Sequence, residues 1–359
     1  MSVHLPLEHL YLHFPFCTGR CGYCAFVSGP PPPNPSAYVD ALLNELSARQ
    51  LTLAPLATLY CGGGTPGLLG EKGFRALRAS GLFTLAKGYE WTVELHPRTV
   101  THSLMEALSD CGVTRISIGV QSLNDEVLHL CNRRHTAAQA LEAVRIARQF
   151  IPDTGIDLIA GLPGVSPILW RDTLQRVREL SLPHLSIYAL SIDSGSAWAA
   201  AGIPAPESES VCDAIAEAAE HLAGDGLERY ETSNYARAGF RCRHNLNTWH
   251  GGDYVGLGHG AASRIATLRR GTDGCEEHLS EIDDALERAL TTLRLSEGFH
   301  LPALAQRFPC LSPFMGQWAQ LLETFHHHGL LNGHYAPTLR GYEVLDAMER
   351  TLLSAAIAP

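Results

Sequence analysis

The 359-residue sequence contains little charge and no long apolar run. Lys, Arg, Asp and Glu together make up 18% of the residues, and hydrophobic residues make up 45%. No stretch of about 20 apolar residues occurs, so we expect no integral membrane segment. The first residues lack a basic region followed by an apolar one, so we expect no export signal and a cytoplasmic location. The composition indicates a globular chain with a large core.

Positive charge is also scarce. The chain has 27 Lys and Arg residues against 37 Asp and Glu residues, a formal net charge of -10. A protein that binds along nucleic acid needs basic side chains to neutralise phosphates. The charge balance therefore disfavours a nucleic-acid partner.

Six strands are predicted in the first half of the chain, each separated from the next by a segment of helical period. Parallel strands need crossover helices, so this order predicts a parallel sheet that curls into a full or partial barrel. The first helix is expected to begin at Ser36 as its N-cap, after a Pro-rich stretch. The predicted strands are 9–14, 57–60, 91–95, 115–120, 155–160 and 184–190.

Composition changes beyond the sixth strand. Residues 194–210 have the Gly, Ser, Ala and Pro content of a linker, which places a boundary near residue 200. Residues 226–263 are so rich in turn formers that we expect a functional or packing loop region without regular elements. Helical periodicity returns beyond residue 278, including a helix at 314–328 ended by Gly329. We predict a barrel at 1–200, an extension at 201–275 and a small helical domain at 276–359.

Three of the ten cysteines lie in the segment YLHFPFCTGRCGYCAF, with three and then two residues between them. Without an export signal, reduced thiols or metal ligands are favoured over disulfides. Structural zinc needs four ligands, so His13 or Cys61 would have to join Cys17, Cys21 and Cys24. In an iron-sulfur cluster, three cysteines leave one iron open for substrate or cofactor. Free thiols or a disulfide remain a third alternative.

This loop resembles the signature of radical S-adenosylmethionine (SAM) enzymes, with Tyr23 as the aromatic residue before the third cysteine. The resemblance implies that Cys17, Cys21 and Cys24 hold a 4Fe-4S cluster. It also implies that the amino and carboxylate groups of SAM chelate the vacant iron, and that an electron from the cluster cleaves SAM to a 5'-deoxyadenosyl radical.

Polar residues follow the ends of the predicted strands. In parallel barrels, the chemistry gathers at the carboxyl ends of the strands. Glu94 ends the third strand, Gln121 ends the fourth and Asp157 lies within the fifth. Each alone is also compatible with a surface residue or a helix cap. The turn after the second strand, which alone could be an ordinary strand-to-helix turn, consists of Gly62, Gly63, Gly64, Thr65 and Pro66.

Together the motifs resemble the oxygen-independent coproporphyrinogen III oxidase family across nearly the whole chain. The shared segments are YLHFPFC, GGGTP, GVQS, Arg-x-His, DLIAGLPG, SNYARAGF and HNLNTW. The resemblance implies that Tyr11 contacts the sulfonium side of SAM and that Arg133 helps to hold its carboxylate and ribose. It assigns no catalytic residue. The implied cofactor-binding residues are Tyr11, Tyr23, Phe26, Gly62, Gly63, Gly64, Thr65, Glu94, Gln121, Arg133 and Asp157.

The family contains oxidases that decarboxylate coproporphyrinogen III propionates and a heme chaperone branch that retains the cluster and SAM site. Three features favour the chaperone branch: only sixteen residues precede Cys17, Phe26 stands where the oxidases have a further cysteine, and the SNYARAGF and HNLNTW segments match it better. Departures from the branch, such as Asn132 in place of a glycine, keep a divergent radical SAM transferase as an alternative.

The chaperone resemblance implies several partners. They are heme, an apo-hemoprotein acceptor and a reductant such as a flavodoxin or ferredoxin, with a homodimer as a further possibility. For the heme iron, the sequence offers His244, His250 and His259 as candidates, although a hydrogen-bonded structural role is favoured for each of them. Residues 326–328, a run of three histidines, are interpreted as a solvated helix terminus. The C-terminal part resembles the small winged-helix-like domain of the family.

Overall fold

The computed structural model describes residues 6–26 and 28–357. Residues 1–5, which bear on the expected absence of an export signal, lie outside the described part. Six parallel strands form the centre of the molecule and pair in chain order. They are β1 Leu7–Phe14, β2 Leu53–Gly63, β3 Leu85–Leu95, β4 Arg115–Gln121, β5 Thr154–Ala160 and β6 His184–Ala189. The predicted α/β fold with a parallel sheet is confirmed.

Short strands extend this sheet at both edges. Strands β7 (Glu228–Arg229) and β8 (Asn234–Ala236) continue it beyond β6 in antiparallel pairing, and β9 (Val255–Leu257) runs parallel to β1. The two outer strands, β7 and β9, are not paired with each other in the described sheet, so the barrel is partial. A separate three-stranded antiparallel sheet consists of β10 Ser263–Ile265, β11 Leu268–Arg270 and β12 Glu276–His278.

Helices alternate with the parallel strands and then form the C-terminal part. The first eight are α1 Pro35–Ala48, α2 Gly70–Ala79, α3 His102–Cys111, α4 Asp125–Leu130, α5 Ala137–Phe150, α6 Pro167–Glu179, α7 Ala197–Ala200 and α8 Ser208–Ala223. The others are α9 Arg243–Trp249, α10 Glu281–Thr291, α11 Leu301–Arg307, α12 Met315–His327, α13 Leu339–Glu343 and α14 Leu345–Ile357. Among the described residues, the helices are too short or too polar to cross a bilayer.

Two expectations about local structure are wrong. Helix α1 is capped by Asn34, whose side-chain oxygen accepts a hydrogen bond from the backbone N–H of Ser36 at 3.1 Å, with Pro35 in the first turn. Proline suits that position because its missing N–H would have no helical partner. Residues 226–263 also contain regular elements, namely β7, β8, α9 and β9. Gly256 lies within β9, where a Cβ would collide with the carbonyl oxygen of Ala262, so this glycine permits close backbone approach instead of a turn.

The molecule contains two main hydrophobic clusters. The larger one lies between the parallel sheet and its helices and includes Phe14, Phe74 and Trp91. The other lies within α10–α14 and buries Phe299 and Trp318. The part predicted as an extension supplies β7, β8 and β9 to the main sheet, whereas the helices beyond it have a core of their own.

Candidate cluster and cofactor site

A cavity of about 480 Å³ opens at the carboxyl ends of the parallel strands. This is the edge of a parallel sheet where loops from several strands converge. The structure brings twelve of the predicted site residues to its wall. They are Cys17, Cys21, Tyr23, Cys24, Phe26, Gly63, Gly64, Thr65, Glu94, Gln121, Arg133 and Asp157.

Two predicted residues, Tyr11 and Gly62, do not line this cavity. The Tyr11 hydroxyl lies 3.1 Å from His13 Nδ1, and its ring stacks on that of Tyr60 with centroids 6.0 Å apart. A Cβ on Gly62 would lie 3.1 Å from Glu94 Oε2. Both residues therefore support the wall from behind it.

The cysteine loop is fastened to the barrel by hydrogen bonds on both of its sides. The Cys17 N–H donates to the Gly29 carbonyl at 2.8 Å, and the Gly22 N–H donates to the Cys131 carbonyl at 3.0 Å. The Gly22 carbonyl in turn accepts from the Trp198 N–H at 2.9 Å. A Cβ on Gly22 would collide with the Trp198 indole. Glycine is therefore required where the loop contacts α7.

The three thiols lie in a setting that differs from a mononuclear zinc site. No three His, Cys, Asp or Glu side chains in the described part of the chain are close enough to bind one ion together. Cys61 is fully buried and its Sγ accepts a hydrogen bond from Trp91 Nε1 at 3.4 Å, while His13 lies behind the wall. Neither candidate for a fourth zinc ligand lines the cavity. In a 4Fe-4S cluster each thiolate binds a different iron, so the sulfur atoms need not converge on one point.

Hydrogen bonds reach two of the loop sulfurs. Arg133 Nη1 donates to Cys21 Sγ at 3.5 Å. The Cys17 thiol donates to the Gly19 carbonyl at 2.6 Å. Burial raises the pKa of Cys24, and a bound cation would lower it.

The glycine turn packs directly on the cysteine loop. Gly63 has a φ of +104°, which non-glycine residues rarely adopt, and the Gly64 N–H donates to the Phe14 carbonyl at 2.9 Å. A Cβ on Gly64 would lie 2.5 Å from the Phe16 carbonyl oxygen. The turn therefore needs glycine to place backbone groups beside the cysteines.

Two buried carboxyl groups face the cavity. Glu94 Oε1 accepts from the Tyr60 hydroxyl at 2.7 Å, and Oε2 accepts from the Gly63 N–H at 3.2 Å. Burial, reinforced by the nearby Asp157, raises the pKa of Glu94 to about 7. Burial also raises the pKa of Asp157, although Ser117 Oγ donates to it at 2.8 Å. A cationic ligand would stabilise both carboxylates.

Arg133 gives the same cavity an anion-binding group. Its side chain is partly buried and donates to the Gly119 carbonyl, but its Nε is an inaccessible donor with no partner in the described structure. A buried donor without a partner is costly, so a ligand carboxylate or hydroxyl would satisfy it. Gln121, at the end of β4, has a φ of +69°, a strained conformation of the kind that concentrates at functional sites.

Sequence reasoning missed several residues on the cavity wall, among them His96, Asn132 and Tyr188. Burial and the neighbouring Arg133 lower the pKa of His96 to about 3, so it is a neutral imidazole. Asn132 has a φ of +56°, and its Nδ2 donates to the Arg20 carbonyl at 2.8 Å. The sequence contained a signal for Asn132, because this residue stands where a glycine is usual and both Asn and Gly tolerate a positive φ.

The histidine candidates for heme iron lie away from the cavity. His244 is buried, its Nδ1 lies 2.8 Å from Thr58 Oγ1, and burial lowers its pKa to about 3. His250 and His259 are exposed. The structure thus uses His244 as a packed, hydrogen-bonded core residue.

The fold and site define a radical SAM protein. The model of the radical SAM superfamily matches residues 11–197. The chain is 35% identical over 273 residues to the heme chaperone HemW of Escherichia coli, covering 73% of this chain and 71% of the relative. It is 32% identical over 334 residues to HemW of Synechocystis sp., covering 82% and 81%. The chain therefore belongs to the radical SAM superfamily and, within it, to the family of these HemW relatives.

The structural comparison agrees with this assignment at the level of the fold. The coproporphyrinogen III oxidase HemN of Escherichia coli superimposes with a TM-score of 0.81 at 22% identity, covering 98% of this chain and 91% of that chain. The similarity in fold thus extends over both the parallel sheet and the helical C-terminal part of this chain.

Proposed function

We propose that the protein is a radical SAM heme chaperone, which holds a 4Fe-4S cluster and SAM, binds heme and delivers it to an apo-hemoprotein. The observation that carries the first part is the convergence of three cysteines, two buried carboxyl groups and a partly buried guanidinium on one cavity. The chaperone part is supported by the HemW relatives at 32–35% identity.

The residues fit the charges of SAM. Its ammonium and sulfonium groups are positive and its carboxylate is negative. Glu94 and Asp157 supply negative charge in a buried setting, and Arg133 supplies a guanidinium with a free donor. Buried charges are stable only when paired, so the ligand and the wall would neutralise one another.

Cys17, Cys21 and Cys24 would hold the cluster, which supplies one-electron chemistry when bound. Arg133 would stabilise the Cys21 thiolate, and the glycine turn would hold SAM next to the loop. Phe26, which is 60% exposed, lies at the mouth of the cavity and is free to contact a partner or bound ligand.

The cellular compartment and the partners of the protein are part of the same proposal. All ten cysteines are free thiols, which fits a reducing, cytoplasmic compartment. A flavodoxin or ferredoxin would supply the electron, the apo-hemoprotein would accept heme, and a homodimer is part of the proposal.

The cluster is tested by anaerobic reconstitution with iron and sulfide. Cys21→Ala should lose the visible absorption of the cluster, because one of three ligands is removed. Cys275→Ala, which alters an exposed thiol outside the cavity, should retain it. Loss in both variants, or in neither, would contradict the ligand assignment.

The chaperone activity is tested by incubating the reconstituted protein with heme and with coproporphyrinogen III in parallel. We expect stoichiometric heme uptake, transfer to an added apo-hemoprotein, and no vinyl-group formation. Vinyl formation would instead identify an oxidase. The absence of both heme uptake and vinyl formation would contradict both activities and favour a divergent transferase.

A further inference from the structure

We infer that the exposed side of the cysteine loop is the docking surface for an acidic one-electron donor protein. This surface, which we call the loop face, consists of Arg20, Phe26, Leu130 and Arg134. The inference rests on the proposed function, because it locates the contact through which the proposed reductant reaches the cluster. One electron passes from the reduced flavin or iron-sulfur group of the donor to the oxidised cluster. The donor is oxidised, the cluster is reduced, and no bond forms or breaks.

The loop face carries positive charge that no nearby carboxylate neutralises. Arg20 is exposed, and its guanidinium donates to the carbonyls of Cys24 at 3.1 Å and Phe26 at 3.4 Å. Arg134 is also exposed. Within the described part of the chain, neither arginine has an acidic side chain within 4.0 Å. Both charges are therefore available to an acidic partner.

Arg134 lies directly against the cysteine loop. A Cβ on Gly19 would lie 2.5 Å from Arg134 Nε, so glycine at this position leaves room for the guanidinium. Gly19 lies between Cys17 and Cys21, two of the proposed cluster ligands. Positive charge is thus placed on the segment that would hold the cluster, where an electron donor must come close.

Two apolar side chains accompany the arginines. Phe26 and Leu130 are both more than half exposed. Leu130 ends α4 and precedes Cys131, whose carbonyl accepts a hydrogen bond from the Gly22 N–H of the loop at 3.0 Å. Electron-transfer encounters bury little surface, and interfaces combine an apolar centre with a polar rim. The loop face offers both parts of such a transient contact.

The charge of the remaining chain makes the loop face distinct. The chain has a formal net charge of -10, so as a whole it repels an acidic donor. Other exposed arginines are neutralised locally, as in the pair of Arg145 and Glu142 at 2.6 Å. Asp193, an exposed carboxylate that also lines the cavity, precedes α7. An acidic donor would be attracted to the arginines and repelled by Asp193, which fixes its orientation on the loop.

The test is the rate at which a protein donor reduces the cluster of the reconstituted full chain. Reduced flavodoxin and, in parallel, reduced ferredoxin are mixed with it anaerobically, and absorption is followed by stopped flow. Arg134→Gln removes one positive charge and should lower the second-order rate about threefold at low salt, whereas Arg134→Glu should lower it about tenfold. Since salt screens surface charges, these differences should shrink at high ionic strength.

Arg350→Glu is the matched control. It makes the same charge reversal at an exposed position on α14 outside the cavity, so it should leave the rate nearly unchanged. Photoreduced deazaflavin, a small reductant that needs no protein docking, should reduce the cluster of every variant at the same rate. Iron and sulfide per chain report that each variant holds its cluster.

The outcomes separate this inference from the proposed function. A rate unaffected by Arg134→Glu, or lowered equally by Arg350→Glu, would overturn the docking surface. An equal loss of the deazaflavin rate in Arg134→Glu would also overturn it, because the substitution would then act on the cluster itself. Failure of both protein donors to reduce an intact cluster would overturn the inference and leave the cluster assignment standing. Absence of a cluster from the unaltered protein would overturn both.

Discussion

At the scale of single residues, Asn132 connects the segment between α4 and α5 to the cysteine loop. Asn132 has a φ of +56° and donates to the Arg20 carbonyl. Alanine would have to adopt the same left-handed backbone without the hydrogen bond. The left-handed conformation costs residues other than Gly, Asn and Asp about 1 to 2 kcal/mol.

We therefore expect Asn132→Ala to lower the free energy of unfolding by about 1 to 2 kcal/mol, as measured by denaturant titration. Asn132→Gly tolerates the left-handed backbone and loses only the side-chain hydrogen bond, so it should lower the free energy of unfolding by less than Asn132→Ala does. Equal losses in the two variants would show that the backbone conformation is not the cause.

The protonation of Glu94 gives a pH dependence. Its pKa is raised from 4.5 to about 7, so below pH 7 the folded apoprotein holds this group neutral. An unfolded chain ionises it near 4.5, so the raised pKa makes the folded apoprotein lose stability as pH rises from about 4.5 to 7.

Bound SAM reverses this effect, because its positive groups stabilise the carboxylate. SAM affinity measured by anaerobic calorimetry should rise between pH 6 and 8, with proton release on binding near pH 7. Glu94→Gln should weaken binding and flatten the profile. A pH profile that is unchanged by this substitution would exclude Glu94 as the titrating group.

At the scale of elements, the turn after β2 and the cysteine loop form one packed unit. A Cβ on Gly64 would lie 2.5 Å from the Phe16 carbonyl oxygen, and a backbone carbonyl cannot move aside as a flexible side chain can. Gly64→Ala should therefore displace the loop and reduce cluster content after reconstitution, measured as iron and sulfide per chain.

Gly29→Ala is a matched control for this substitution. Gly29 lies at the end of the same loop, and a Cβ there would meet no atom within 4 Å. This variant should retain its cluster. If both variants lost it equally, the contact between the turn and the loop would not be the reason.

The elements also show what the sequence can predict. The six parallel strands are predicted from the alternation of strand patterns with segments of helical period, and each observed strand overlaps its predicted range. The predicted parallel order of the strands also explains why Glu94 of β3 and Asp157 of β5 face the same cavity. Strand β9 and helix α9 were missed, because they are short and depend on pairing with β1 and on contacts with β2.

Side-chain direction explains the remaining difference in the site. Tyr11 lies within β1, as the predicted strand places it, but its ring stacks on Tyr60 behind the cavity wall. Nothing in the local pattern distinguishes these two orientations, because the partner ring comes from a strand about 50 residues away.

At the scale of the whole molecule, a buried charge joins α10 to the loop that precedes β9. Arg288 on α10 is only 7% exposed, and it donates to the Gly251 carbonyl at 2.7 Å and to Asp253 Oδ1 at 2.7 Å. It also pairs with Asp284 at 2.9 Å. Removing one partner of a buried pair leaves the other uncompensated.

Arg288→Met should therefore lower the free energy of unfolding by about 3 to 5 kcal/mol, measured by thermal or denaturant unfolding. Arg75→Met, which alters an ion pair more than half exposed, should change it by less than about 1 kcal/mol. Similar effects of the two substitutions would contradict the structural role of Arg288.

The most direct test of the central claim is electron paramagnetic resonance of the reduced, reconstituted protein with and without SAM. The account predicts a 4Fe-4S signal that changes when SAM is added, because one iron has no cysteine ligand and is open to the cofactor. A signal that SAM leaves unchanged, or a protein that takes up zinc in place of iron, would contradict it.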